Sequence, residues 1–269
     1  AIEGKLTVDW RKENPVRKGD PDYDAEALLE KIQAEKEKLI KSKELKKGKL
    51  PKDSKSFRDL LEIPKQWVWV KADEVYFITK LAGFEYTKYI VLLENGDIPV
   101  IRAQNVRPLN IDKTNLLYID EETSEKLSRC ALTKECLLVT FIGAGIGDVA
   151  TFMEKERWHL APNVAKMEPF KNCDHFINNK YSNYFLLSNS GQREVFKHIK
   201  ATAQPSLSME TIRDIDFPLP PLAEQQAIVD RVEKFLSMVD ELEKQVSERK
   251  EQSEQLMQAV LREAFEGGK

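Results

Sequence analysis

No apolar run in this sequence approaches the ~20 residues that a bilayer crossing needs, so no membrane span is expected. The opening residues, AIEGKLTVDWRK, hold no hydrophobic segment of the kind a secretory signal carries, and a cytoplasmic location is expected. Cysteine is scarce. Cys130, Cys136 and Cys173 are odd in number, at spacings that fit neither a disulfide framework nor a zinc site, which implies free thiols in a reducing compartment. Histidine is equally sparse, and His159, His175 and His198 are not paired at metal-ligand spacing, so no metal site is expected. An excess of either charge is also lacking: 42 basic residues against 45 acidic ones leave a net charge of -3. A protein that coats nucleic acid would be strongly basic, so any DNA binding here must use local patches.

The 269 residues, 41% hydrophobic and 32% charged, suffice for one large domain or two small ones. Long charged segments flank the apolar ones, which suits a compact part with extended helical arms. Residues 1–23 are polar and turn-rich. A helix is expected over 24–47, with Asp24 as N-cap, Glu26 in the first turn and Gly48 at its close. Leu28, Leu29, Ile32, Leu39 and Ile40 recur on one narrow stripe amid Lys and Glu, the pattern of a helix awaiting a partner helix.

From 63 to 221 the composition changes to short runs of aromatic, Val and Ile residues separated by Gly, Asn and Pro. WVWV (67–70), EVYFIT (74–79), YIVLL (89–93), DIPVIRA (97–103) and CLLVTFIG (136–143) read as strands, with Asn95-Gly96 as a hairpin turn. The prolines of DFPLPPL (216–222) forbid helix interior and central strand alike. A second helix then starts near Leu222, with Pro221 at its head, and no Pro or Gly interrupts it up to Phe265. Val232, Phe235, Val239, Leu242 and Val246 fill its a and d positions. The seam weakens at Arg249 and Ser253 and resumes at Leu256 and Val260, as in a coiled-coil arm.

FIGAGIGD (141–148) follows a strand and is the one segment that suggests a cofactor site. A G-x-G-x-x-G fingerprint would need glycine where Asp148 stands, and the residues after it read as a strand rather than a phosphate-binding helix. The Asn-Pro-Pro-aromatic or Asp-Pro-Pro-aromatic loop of an amino-methyltransferase does not occur either. A glycine-rich β-turn is the reading, and no cofactor is expected. No nucleophile triad, paired-carboxylate or nuclease cluster emerges, and Asp148 and Asp174 read as ordinary loop acids.

PLPPLAEQQAIVDRVEKFLSMVDELE (218–243) resembles the segment that closes each target-recognition domain in type I restriction-modification specificity subunits. IPKQWVWVKADEV (63–75) looks like the opening of that domain. IPVIRAQNV (98–106), LLVTFIGAGIGDVA (137–150), LAPNVAKMEP (160–169) and TAQPSLSMETIRDIDFPLPP (202–221) match the family's order and spacing. LMQAVLREAFEGGK (256–269) and AIEGKLTVDWR (1–11) resemble the two sides of one family junction. The family usually carries two recognition domains in one chain, where this sequence shows one.

The resemblance implies an α+β fold in three parts. These are a linker and helix over 1–54, a mixed, mostly β recognition domain over 55–221, and a long helix over 222–269, with the helices forming an antiparallel coiled-coil arm. It implies a non-catalytic subunit that binds a half-site of a bipartite target on double-stranded DNA. That subunit docks modification subunits, which use S-adenosylmethionine to methylate adenine, and a motor-nuclease subunit completes the complex. Leu28, Ile32, Leu39, Val232, Val239, Leu242, Val246, Leu256 and Val260 are the expected partner-helix residues, with self-association through the helices. A coiled-coil interaction protein without sequence-selective DNA binding is the alternative.

Reading a duplex needs Arg or Lys for phosphates and Arg, Gln or Asn for base edges. Three loops gather such residues: Arg102, Gln104, Asn105 and Arg107; Gln192, Arg193, Lys197 and Lys200, on an expected helix beside Phe196; and Thr202, Gln204 and Ser206, beside Pro205. Lys155, Arg157, Lys166 and Lys171 add charge. Gln104, Asn105, Gln204 and Ser206 have an equal alternative, stabilising their own loops by side-chain to backbone bonds.

Overall fold

The computed structural model describes residues 3–46, 48–51, 56, 58, 61–143, 145–199 and 206–266. A short helix, α1 (Val8–Glu13), precedes α2 (Ala25–Lys41). The Asp24 carboxylate caps α2 by accepting from the amides of Glu26 and Ala27, two of the donors a helix start leaves open. The helix ends well before Gly48. Lys43 turns into the left-handed region (φ 64°), and the amides of Lys43 and Leu45 return to the carbonyls of Ile40 and Leu39. The apolar stripe is not kept for a partner helix: Leu28 and Ile32 are fully buried in the main core, and Leu39 packs against it. Within one chain, α2 therefore belongs to the domain and not to an antiparallel arm.

The domain proper begins with β1 (Val68–Lys71), α3 (Ala72–Val75), β2 (Tyr76–Lys80), α4 (Gly83–Tyr89) and β3 (Ile98–Ile101). WVWV and DIPVIRA supply strands as their patterns require, and EVYFIT divides between α3 and β2. YIVLL does not form a strand. The Glu85 carboxylate accepts from the Ala82 amide and closes the first turn of α4, which carries Tyr89 into a helix. Only Leu93 of that run bridges, to Tyr118, so Asn95-Gly96 joins no hairpin onto β3.

The chain continues through β4 (Val106–Arg107), β5 (Asn110–Ile111), β6 (Leu117–Ile119), α5 (Glu121–Lys126) and β7 (Ala131–Leu132). Next come β8 (Cys136–Thr140), β9 (Val149–Phe152), β10 (Trp158–Leu160) and β11 (Val164–Pro169). One four-stranded sheet has the order β2-β11-β8-β9 and is antiparallel throughout; the other has the order β6-β3-β10-β7, with β3 and β10 parallel. Every residue of β8 is buried because the strand has a core on each face. Leu137 and Val139 face the main core, and Cys136 and Leu138 the second one, as the two-residue period of a strand demands. All three cysteines are buried and free, and burial pushes the Cys130 and Cys173 thiols up to about 11.

Helices α6 (Asn179–Leu187), α7 (Asn189–Phe196) and α8 (Met209–Arg213) contribute to the main core, before β12 (Asp216–Leu219) and α9 (Leu222–Glu266). β12 pairs with β1 in a two-stranded sheet, Pro218 opposite Trp69, so the proline holds an edge position where no second neighbour requires its amide.

The head of α9 is anchored by one buried carboxylate. Glu224 accepts from Thr7 Oγ1 (2.7 Å), Arg11 Nη1 (2.5 Å) and Trp67 Nε1 (2.8 Å). The amides of Leu222 and Ala223 donate to the carbonyls of Pro21 and Asp22, and Ile228 and Val229 close onto the core. Three stretches singled out in the sequence, around Trp67, Glu224 and the Thr7–Arg11 segment, thus meet at one joint. Beyond it, residues 234–266 are exposed throughout. The 45 residues of α9 extend ~67 Å at the helical rise.

Candidate nucleic-acid interface

β8 and β9 form a hairpin whose connection is the glycine-rich segment. Gly143, Gly145 and Gly147 all adopt positive φ (99°, 84° and 88°), which side chains rarely tolerate. The amides of Gly147 and Asp148 return to the carbonyls of Thr140 and Gly145, and Thr140 donates to the Asp148 carbonyl, so main-chain bonds fix the loop. Val149 onward is strand, which agrees with a β-turn and not with a phosphate-binding helix.

Described residues in or beside each of the three groups read from the sequence meet this hairpin. The Leu109 amide donates to the Val149 carbonyl (3.0 Å) and sets the β4–β5 turn, with exposed Arg107, beside the start of β9. Gln192 Nε2 donates to the carbonyls of Gly147 (3.0 Å) and Leu186 (2.8 Å). Phe196 lies against Gly147, where an added Cβ would meet the ring at 2.6 Å. Ser206 is exposed and bridges Ile142, while the Leu207 amide donates to the Phe141 carbonyl. Lys80, which sequence reasoning passed over, places its ammonium 4.6 Å from the Phe141 ring centroid at the root of the same loop.

Not every candidate belongs to this face. Asn105 is buried: its Oδ1 accepts from the Arg102 amide, and its Nδ2 donates to the carbonyls of Asp112 and Thr114. It holds its own loop, as the side-chain to backbone alternative has it. Arg102 is half-buried and bonds the Asn115 carbonyl through Nη2. Gln192 is likewise occupied with backbone carbonyls, whereas its neighbour Arg193 is exposed. Gln104 is exposed. Lys200, Thr202 and Gln204 lie outside the described residues.

Lys197 is the largest correction. Its ammonium is fully buried among Glu194 Oε2 (2.8 Å), Asp214 Oδ2 (3.2 Å) and Asp216 Oδ2 (3.4 Å), and it cannot meet a phosphate. Lys71 pairs with the same two aspartates and Arg58 with Asp216, while His198 Nε2 lies 2.8 Å from Asp214. Two of the accessory cations are similarly engaged, with Lys166 buried on the Ala131 carbonyl and Arg157 held by Ser124.

Electrostatically the face mixes signs. Arg107 and Arg193 are exposed cations without an ion pair among the described residues. Beside Arg107 sits Asp148, half-buried, whose carboxyl is raised above the ordinary value by burial against the pull of Arg107. Among the described residues no group of three His, Cys, Asp or Glu side chains is arranged to hold a metal. No helix among them is long and apolar enough to cross a membrane.

Comparison with known proteins places this α+β domain and its long terminal helix in a known family. The family model described as the type I restriction modification DNA specificity domain matches residues 64–252, and the chain belongs to that family. Among curated relatives, the StySPI specificity subunit of Salmonella potsdam is 36% identical over 187 residues, 65% of this chain and 38% of that protein. The EcoDI specificity subunit of Escherichia coli is 25% identical over 277 residues, 99% of this chain and 51% of that protein. The chain spans about a third to a half of the length of the curated relatives it matches.

Two solved structures share the fold. The HsdS subunit from Thermoanaerobacter tengcongensis matches at 17% identity and a TM-score of 0.50, over 90% of this chain and 56% of that one. A chain from a structure of type I R-M complex assembly and conformational transition matches at 18% identity and 0.54, over 90% and 57%. The family is that of the specificity subunits, not of the subunits that carry catalysis.

Proposed function

We propose that this chain recognises one half-site of a bipartite duplex target and presents it to modification subunits that methylate adenine. The domain over 55–221 reads the DNA, the segment over 1–54 and the head of 222–269 form the anchored joint, and the rest of α9 is the arm. A motor-nuclease subunit completes the assembly, which works in the cytoplasm. The chain itself needs no cofactor. The observation that carries this reading is the gathering of the β4–β5 turn with exposed Arg107, of Gln192 on α7, and of Lys80 and Ser206 around one glycine-rich hairpin, in a domain of the specificity family. A coiled-coil interaction protein would have no use for such a face.

Selection from a duplex pool with a randomised segment, by the chain mixed with its cognate modification subunit, is the direct test. Enrichment of a defined half-site is expected, and recovery of the input distribution would reject the proposal. The cations are separable by salt. Arg193→Ala is expected to weaken binding about equally for all sequences and to lower the slope of log affinity against log salt by about one, the signature of a lost phosphate contact. Because Arg193 is exposed, its stability should stay within about 0.5 kcal/mol of the wild type. An unchanged slope would remove Arg193 from the DNA face.

A further inference from the structure

One group on this face carries the wrong sign for a phosphate. Among the described residues, nothing donates a hydrogen bond to the Asp148 carboxylate, and the neighbouring Arg107 makes no ion pair with it. An ionised carboxylate is an acceptor only, and holding one half-buried without a donor costs free energy. The loop does not need the side chain for its own geometry, since the turn is closed by main-chain bonds at Thr140, Gly143, Gly145, Gly147 and Asp148.

The loop also leaves the carboxylate open. An added Cβ on Gly145 would come to 2.6 Å from Asp148 Oδ2, and the corresponding position on Gly143 has nothing within 4 Å. Glycine at 145 keeps clear the space beside the acid, and the open surroundings of Gly143 leave room on the same loop. Gln192 and Phe196, packed on Gly147, stop the loop from folding away.

A duplex that meets this face offers phosphates, which Asp148 repels, and base edges, some of which donate. In the major groove the donors are the exocyclic amino groups of cytosine and adenine, and carboxylates match the cytosine amino group. Guanine presents only acceptors there and would leave the acid unsatisfied. We infer that Asp148 is a specificity-determining residue that accepts a hydrogen bond from the exocyclic amino group of a cytosine in the half-site, while the flanking cations hold the backbone. The inference rests on the DNA-recognition reading above.

Selection on the randomised duplex pool, with the full chain and its cognate modification subunit, tests it through Asp148→Asn and Asp148→Ala. The wild type is expected to prefer cytosine at one position. Asp148→Ala should lose preference at that position alone, by roughly 5- to 150-fold, the range for one good base contact. Asp148→Asn should move the preference toward adenine, because an amide both accepts and donates. Two results would overturn the inference: an unchanged base profile in both variants, or a preference weakened at every position together with a lowered thermal midpoint. A wild-type chain that enriches no sequence would instead sink the DNA-recognition reading itself, and does so before any variant is compared.

Discussion

Lys197→Ala is expected to destabilise the domain by about 3–5 kcal/mol, the cost of breaking a buried ion pair from one side. The ammonium it removes is the common partner of Glu194, Asp214 and Asp216, and it also donates to the Asp214 carbonyl at 2.6 Å. Lys71 and Arg58 remain, but Glu194, Asp214 and Asp216 then lose the buried ammonium that all three share. Domains of this size are stable by about 5–15 kcal/mol, so the loss is a large fraction of the whole. Denaturant titration measures it directly.

The pH dependence gives a second readout of the same cluster. Burial works against the Asp216 charge, yet the Lys71 hydrogen bond and the Lys197 and Lys71 charges hold its carboxyl below the usual 3.8. A depressed folded pKa contributes stability that is present above the unfolded value and lost as pH falls through the folded one. In Lys197→Ala part of that support is gone while the burial remains. The gap between variant and wild type should therefore narrow below about pH 4. A variant as stable as the wild type at neutral pH would show that Lys197 is not the keystone of the cluster.

Signals that live within a few residues were legible in the sequence. The Asp24 cap, the proline-headed start of α9 and the largely apolar β8 each follow from local chemistry, and each stands where its pattern puts it. A stripe is less decisive. The period that marks Leu28, Ile32 and Leu39 suits a partner helix or a domain core equally, and burial decided for the core. Residue type is least decisive of all. Lys197, Asn105 and Gln192 have the chemistry of DNA-reading residues, but the chemistry does not say which way a side chain points. Lys197 finds its aspartates 17 and 19 positions away, and only the tertiary fold brings them together. The glycine-rich turn was legible as a turn. Its place at the centre of the face was not, because the β4–β5 turn and α7 reach it from opposite directions along the chain.

The arm leads to the last expectation, that two copies of this chain associate through α9. Val239, Leu242, Val246, Leu256 and Val260 are 48%, 58%, 67%, 67% and 56% exposed, although they share one seam. Val232, the first residue of that seam, packs on the domain core and sets where the free stretch begins. With α2 held in the core, no helix among the described residues pairs along residues 234–266, which remain exposed. Val239 and Val260 lie nearly equidistant from the polar break at Arg249, so an antiparallel second copy centred there sets one against the other. Such a contact is two-fold and self-complementary, and it would place two identical readers on an interrupted palindrome. Burying each Val or Leu contributes about 1.5–3 kcal/mol. Replacing Val239 and Leu242 with Asp removes four such side chains from the pair and should weaken association by more than about a thousandfold. The thermal midpoint of the domain should hold, because both positions are exposed in the single chain. Sedimentation velocity decides the matter: a wild-type chain that stays monomeric at tens of micromolar, without modification subunits, rules out pairing through the arm.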